Sequence, residues 1–170
     1  MKEIQLTTGK VALVDDDDYE YLNQFKWYIM KNRNRYYAMK KIYQNGQQTA
    51  MLMHRLIMNT PSGMDTDHID MNGLNNQKSN LRVCTRSQNM YNTNKNTNTS
   101  SKYRGVYLLG PNRWQVKISV NHKSIYLGMY KTEIEAAIKY DEAAIKNRGE
   151  FARLNFPDMR SEILKRLKGE

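Results

Sequence analysis

The sequence of 170 residues has only one cysteine, Cys84. A single cysteine excludes an internal disulfide and a zinc site built from several cysteines, which agrees with a reducing compartment. No apolar run approaches the ~18 residues that a membrane-spanning helix needs, and the first ten residues lack the apolar stretch of a secretory signal. These absences predict a soluble, cytoplasmic protein without membrane partners.

Acidic residues are scarce relative to basic ones. The chain has 27 Lys and Arg against 17 Asp and Glu, a net charge of +10, and its sequence pI is about 9.6. Such a balance favours polyanionic partners such as nucleic acid. Charge alone does not separate DNA-binding proteins from ribosomal or membrane-surface proteins.

Apolar side chains are missing from "TNKNTNTSS", Thr93 to Ser101. Such a stretch buries too little surface to offset the entropy of ordering it, so a flexible linker is expected over 93–101. Before it, the patterns predict two short strands around a Thr-Thr-Gly turn and three further strands, the last two joined by an Asn-Gly turn. A short helical segment, "HRLIM", should then end before Pro61.

Residues after the linker change their hydrophobic period. "WQVKISV" alternates as a half-buried strand does, and flanking segments complete a three-stranded antiparallel sheet. "TEIEAAIKYDEAAIKNRG" then has a helical period, with a capping box at Thr132 and Glu135 and a C-cap at Gly149. The alanines should pack this helix on the sheet, which leaves an open polar face. The last residues, 158–170, are expected to form a helical tail.

Two clusters of acids stand out in this basic chain. The run "DDDD", Asp15 to Asp18, precedes a helical pattern, and acids are favoured at the N-terminus of a helix. In "TDHIDMNG", Asp67, His68 and Asp70 lie almost side by side. Three interpretations of this second cluster compete: an acidic turn, a metal site, or a general base with its metal.

Downstream asparagines distinguish these interpretations. Asn80 and Asn89 follow His68 by 12 and 21 residues, and the intervening sequence predicts a loop, the strand "LRVC" and a helix that opens with a capping box at Thr85 and Gln88. Strand, loop, strand and helix is the expected order. Asp70 fits a turn, because turn-forming residues surround it.

This order and spacing resemble the HNH nuclease family, and specifically the H-N-N variant of phage homing endonucleases. The resemblance implies a ββα-metal fold with His68 as general base, Asp67 and Asn89 as metal ligands, and Asn80 as the residue that ties the loop and orients the histidine. Because an amide replaces a second histidine, oxygen ligands favour one Mg²⁺ (or Mn²⁺) ion per site. "HRL" at His54 also recurs in similar nucleases.

Tyr103 to Pro157 resembles the DNA-binding domain of plant APETALA-two and ethylene-response-factor proteins, through "YRGV", Trp114, "YLGMY" and "EAAIKYDEAAIKNRGEFARLNFP". That family docks its sheet in the DNA major groove. Several family positions are altered, at Tyr107, Leu109, Pro111 and Ser119, so the plant target sequence is not expected. The full set of predicted DNA contacts is Arg55, Arg82, Arg86, Arg104, Arg113, Lys117, Ser119 and Tyr126.

The sequence thus predicts an α+β protein that acts as a metal-dependent, site-specific HNH homing endonuclease on double-stranded DNA in a phage-infected bacterium. We expect a monomer or weak dimer with no small-molecule cofactor. The predicted parts are an N-terminal β-rich region (1–50), a nuclease module (51–92), the linker (93–101), a DNA-binding domain (102–157) and the tail (158–170). The rivals are a non-catalytic DNA-binding regulator with a relic nuclease module, and an RNA-directed nuclease or ribosome-associated protein.

Overall fold

A computed structural model describes residues 1–93, 99–120 and 123–169. The chain divides into two compact units, Met1–Asn89 and Met90–Glu170, and each has its own hydrophobic core. Several small sheets and a few helices make up both units, which confirms a mixed α+β protein. Residues 94–98 of the predicted linker lie outside the described residues. Within the described ranges, no helix is long and apolar enough to cross a membrane.

The first unit begins with an antiparallel pair of strands, β1 (Lys2–Gln5) and β2 (Val11–Val14). Helix α1 (Asp16–Leu22) follows at once, with three acids in its first turn. The acidic run therefore lies where the partial positive charge of a helix N-terminus favours it, as predicted. Buried apolar residues from β1, β2 and α1 form one core with Trp27, Ala38 and Met53.

A three-stranded antiparallel sheet comes next, formed by β3 (Tyr28–Asn32), β4 (Arg35–Gln44) and β5 (Gln47–Leu52), with β4 in the centre. The β4–β5 turn is the predicted Asn-Gly pair, and both of its residues have positive φ, as this type of hairpin requires. The short helix α2 (Met53–Ile57) confirms the helical segment expected before Pro61.

The last part of the first unit has the predicted order of strand, loop, strand and helix. Strand β6 (Asp65–His68) pairs with β7 (Leu81–Cys84), and α3 (Arg86–Tyr91) follows. The capping box is reciprocal: Gln88 N donates to Thr85 Oγ1 at 3.2 Å, and Thr85 N donates to Gln88 Oε1 at 2.8 Å. These two bonds fix where α3 begins.

In the second unit, β8 (Val106–Gly110), β9 (Arg113–Val120) and β10 (Lys123–Tyr130) form an antiparallel sheet with β9 in the centre. Helix α4 (Glu133–Arg148) packs its alanines against Val116 and Ile118. Glu135 N donates to Thr132 Oγ1 at 3.2 Å, so the predicted cap is present. Helix α5 (Arg160–Lys168) follows α4 in the second unit. A three-stranded sheet packed on one helix is thereby confirmed.

Candidate active site

The β6–β7 hairpin places an acid and a histidine side by side in the interior. Thr66, Asp67 and His68 are all buried. Because side chains alternate along a strand, Asp65 and Asp67 lie on one face of β6, and Thr66 and His68 lie on the other. The carboxylate of Asp67 and the imidazole of His68 therefore have different surroundings.

The imidazole of His68 lies in a cluster of rings. It packs nearly perpendicular to His54 at 4.8 Å between centroids, and Tyr37 of β4 lies 5.9 Å away. Its Nε2 atom lies 3.2 Å from Oδ1 of Asn76. Burial lowers the pKa of His68 below its usual range, while the Asn76 hydrogen bond opposes this shift. This shift favours the neutral form of His68, which is the form that a general base requires.

His54 of α2 is the second histidine of this cluster. Burial, helped by the neighbouring His68, lowers the pKa of His54 to about 3, so this ring is also neutral. Its edge faces Tyr37 at 5.7 Å. In the part of the chain that the structure describes, the buried Nδ1 atom of His54 has no hydrogen-bond partner.

Asn80 holds the loop that joins the two strands. Its Nδ2 atom donates to Asp70 Oδ1 at 2.9 Å and to the Asn75 carbonyl at 2.8 Å, while its Oδ1 accepts from Asp70 N at 3.0 Å. Its own carbonyl accepts from Ile69 N. These bonds are what a loop-tying asparagine makes, and Asp70 lies within the turn. The side-chain amide that contacts His68 belongs to Asn76.

Asp67 forms an ion pair with the residue directly opposite on β7. Asp67 Oδ2 accepts from Arg82 Nε at 2.9 Å and from Arg82 Nη2 at 2.7 Å. The Asp67 side chain is 2% exposed and that of Arg82 is 16% exposed. A buried carboxylate needs such compensation, because an unpaired charge in the interior is costly. The guanidinium that was predicted to contact phosphate here neutralises Asp67.

Asn89 of α3 lies beside Asp65 at the start of β6. Asn89 Nδ2 donates to Asp65 Oδ2 at 2.9 Å, and Arg86 Nη1 lies 3.4 Å from the same oxygen. With His54 and Tyr37, these side chains line a pocket of about 170 Å³. The structure thus brings α3 onto β6 through Asp65, two residues before the acid that was predicted to act with Asn89.

Arg55 has contacts of its own within the first unit. Its guanidinium donates to the carbonyls of Met64 at 2.7 Å, Thr60 at 3.4 Å and Pro61 at 3.3 Å. These bonds hold the connection between α2 and β6, so Arg55 has a structural role. Its contact with DNA stays a prediction.

Comparison with known proteins assigns this segment to a family. Residues 53–91 match the family model described as HNH endonuclease. The uncharacterized HNH endonuclease L560 of Acanthamoeba polyphaga mimivirus is 33% identical over 153 residues, which cover 86% of this chain and 75% of that protein. The chain belongs to the HNH endonuclease family. The matched segment begins at α2 and ends with α3, so it contains all four of Asp67, His68, Asn80 and Asn89.

The HNH endonuclease is also similar to plant proteins over part of its length. APETALA2-like protein 2 of Oryza sativa subsp. indica is 48% identical over 59 residues, or 34% of this chain and 14% of that protein. The ethylene-responsive transcription factor ERN1 of Medicago truncatula is 34% identical over 85 residues, or 49% of this chain and 32% of that protein. The chain therefore spans a minor part of these plant relatives.

HNH nucleases generally use a divalent metal ion, and the side chains of the hairpin and α3 offer suitable donors. Asp67 and Asn89 carry carboxylate and amide oxygens, which suit a hard cation, and their role as metal ligands stays a prediction. Among the described residues, no group of three His, Cys, Asp or Glu side chains is arranged to hold a metal. Substrate phosphate and water would complete the coordination of an ion held by so few protein ligands, as is common for Mg²⁺.

In the second unit, the HNH endonuclease presents a sheet face opposite α4. Lys117 lies across from Tyr126, and Ser119 lies across from Ser124, and cross-strand partners share a face. These four side chains are exposed. Arg113 is exposed at the start of β9. The sheet therefore brings four of the five DNA contacts predicted for this unit onto its exposed surface.

Arg104 differs from these residues. It is partly buried, and burial lowers the pKa of its guanidinium. Its Nη2 atom donates to the Thr93 carbonyl, and its backbone N donates to Asn155 Oδ1 at 2.7 Å. Arg104 thus fastens the segment before β8, and the guanine contact predicted for it stays a prediction.

Sequence reasoning missed two residues of the candidate site, Asp65 and Asn76. Asp65 has a local signal, because it precedes Asp67 by two positions on a strand and so shares its face. Asn76 has none: it is one of several asparagines in a polar loop, and its burial depends on contacts with β2 that are distant in sequence.

Proposed function

We propose that this HNH endonuclease is a site-specific DNA endonuclease of the homing type that cleaves phosphodiester bonds with one Mg²⁺ or Mn²⁺ ion. The observation that carries the proposal lies inside the family-matched segment. There, a neutral, buried His68 adjoins Asp67 on β6, and Asn89 of α3 contacts the same strand. Hydrolysis of a phosphodiester requires a neutral imidazole as base and oxygen donors for a cation, and the strand β6 carries groups of both kinds.

His68 accepts a proton from a water molecule, whose oxygen then attacks the phosphorus. The bond from phosphorus to the 3′ oxygen breaks with its electron pair, and that oxygen takes a proton from solvent, which leaves 5′-phosphate and 3′-hydroxyl ends. Asp67 and Asn89 would hold the ion, which supplies positive charge against the developing negative charge of the phosphate. Asn80 keeps the loop closed around the histidine.

The second unit is proposed to read the target sequence. The plant relatives and the nuclease family both point to DNA as the partner. Lys117 on the open sheet face would neutralise phosphate, and Ser119 and Tyr126 beside it would face base edges. Arg104 and Arg113 would contact DNA from the two ends of β8. Because the sheet surface differs from the plant pattern, its target site should also differ.

A cleavage assay tests the proposal. Wild type and His68→Ala are compared on genomic and plasmid DNA with Mg²⁺, with binding measured in parallel. We expect His68→Ala to cut about 10²- to 10⁴-fold more slowly, the usual contribution of a general base, and to keep its affinity for DNA. Chelation of the metal should stop cleavage by wild type. If wild type binds DNA and cuts no substrate under any metal condition, the regulator alternative replaces the proposal.

A further inference from the structure

The loop between the two strands of the hairpin carries a buried asparagine with no role in the proposed mechanism. Asn76 is 0% exposed. Its Nδ2 atom donates to the Leu74 carbonyl at 3.3 Å, and its Oδ1 lies 3.2 Å from His68 Nε2. Because Nδ2 donates to the Leu74 carbonyl, Oδ1 is the amide atom that faces His68.

The chemistry of this contact determines a tautomer. An amide oxygen only accepts hydrogen bonds, so His68 Nε2 must be the donor. In a neutral ring with its proton on Nε2, the lone pair that accepts a proton belongs to Nδ1. The hydrogen bond to Asn76 therefore selects the basic atom of the ring.

The N-terminal β-rich region in turn holds Asn76. Asn76 N donates to the Leu13 carbonyl at 2.7 Å, and Leu13 N donates to the Leu74 carbonyl at 2.8 Å. Just after β2, the Asp15 carboxylate accepts from Lys78 N at 2.7 Å and from the Gln77 side chain at 3.3 Å. The loop is thus bonded to β2 and to the start of α1 on both sides of Asn76.

We propose that Asn76 is a positioning residue that keeps His68 in the tautomer protonated on Nε2, and that the N-terminal β-rich region acts in catalysis by holding Asn76 in place. This inference rests on the proposed role of His68 as the base. It assigns a function to residues 1–50: their β2–α1 segment is a support for the reacting histidine. A partial loss of this support should slow the chemical step and leave DNA binding unchanged.

The tautomer is measured directly by long-range ¹H–¹⁵N NMR correlation on the wild-type protein at neutral pH. The chain has three histidines, so the spectrum of His68→Ala identifies the signals of His68. We expect the proton on Nε2. A proton on Nδ1 in wild type overturns the inference, and this result does not depend on cleavage, so it is distinct from a failure of the proposed function.

Two substitutions test the role of Asn76 in turnover. Asn76→Leu has a similar volume and no acceptor, so kcat should fall roughly 10- to 100-fold, part of the contribution of a general base, with unchanged DNA affinity and a mixed tautomer. Asn76→Asp keeps an acceptor oxygen and should restore the Nε2 tautomer and most of kcat. If folded Asn76→Leu cuts at the wild-type rate, the inference is wrong. If Asn76→Leu does not fold, the wild-type spectrum still decides.

Two acids of the run Asp15 to Asp18 provide a test variant and a matched control for the support of Asn76 by the N-terminal region. Asp15→Ala removes the carboxylate that holds the loop, whereas Asp17→Ala removes an exposed acid of the same run, on α1. We expect Asp15→Ala to reduce kcat by less than Asn76→Leu does, and Asp17→Ala to leave kcat unchanged. Equal kcat values for wild type and both variants would contradict the support by the N-terminal region.

Discussion

The buried His54 predicts a specific dependence of stability on pH. Its pKa is about 3 in the folded protein against an ordinary 6.5. Between about pH 6.5 and about pH 3, His54 therefore binds a proton in the unfolded chain but not in the folded chain. The contribution of neutral His54 to the free energy of unfolding is fully present above the pKa of the unfolded chain, and it is lost as the pH falls from about 6.5 to about 3. From about pH 7 to about pH 5, this one group should cost the first unit about 2 kcal/mol.

The measurement isolates the first unit by its own tryptophan. The chain has two tryptophans, and Trp27 is buried in the core of the first unit, so a Trp114→Phe background makes urea unfolding report on that unit. His54→Phe keeps an aromatic ring and cannot titrate. We expect the stability of the His54 protein to fall by about 2 kcal/mol more than that of the His54→Phe protein over this interval. His68 titrates in both proteins, so the difference largely removes its effect; equal pH slopes would refute the reasoning.

Two further predictions concern the close packing at the site and the open sheet face. Gly73→Ala should destabilise the first unit by about 1 to 3 kcal/mol and slow cleavage. The reason is that the new Cβ would meet the Tyr36 carbonyl and lie 2.6 Å from the Tyr37 ring. An unchanged urea midpoint would contradict this prediction. Lys117→Ala should reduce the salt dependence of DNA binding by about one counterion, while Lys146→Ala, on α4, should not; equal salt slopes for both would argue against DNA contact by this face.

Local patterns account for most of the secondary structure that was predicted correctly. The alternation in β9, the N-cap at Thr132 and the capping box at Thr85 involve neighbours in sequence, and the structure contains all three. The acidic run was also placed correctly at the start of α1. Asp15, its first member, also accepts hydrogen bonds from a loop more than 60 residues away in sequence. Local sequence patterns do not predict such a contact.

The site was predicted less completely, because its contacts also join residues that are distant in sequence. The positions of Asp67 and His68 follow from a motif, and the loop-tying bonds of Asn80 agree with it. Asn76 is chemically identical to the asparagines around it, and the hydrogen bond from its backbone N to the Leu13 carbonyl helps to hold it beside His68. The partner of Asn89 depends on how α3 packs on β6, which sequence spacing does not specify. Side-chain roles in such a loop are set by tertiary contacts.

The ion pair between Asp67 and Arg82 has a consequence for the order in which the nuclease is assembled. In many small metal-binding modules the apo chain is unfolded, because the free energy of metal binding supplies the free energy of folding. Here the Arg82 guanidinium already balances the charge of the buried Asp67 carboxylate, so we expect the hairpin to fold without a bound metal ion. We therefore expect the metal-free enzyme to fold and to bind DNA, and we expect a chelator to stop cutting without unfolding the protein.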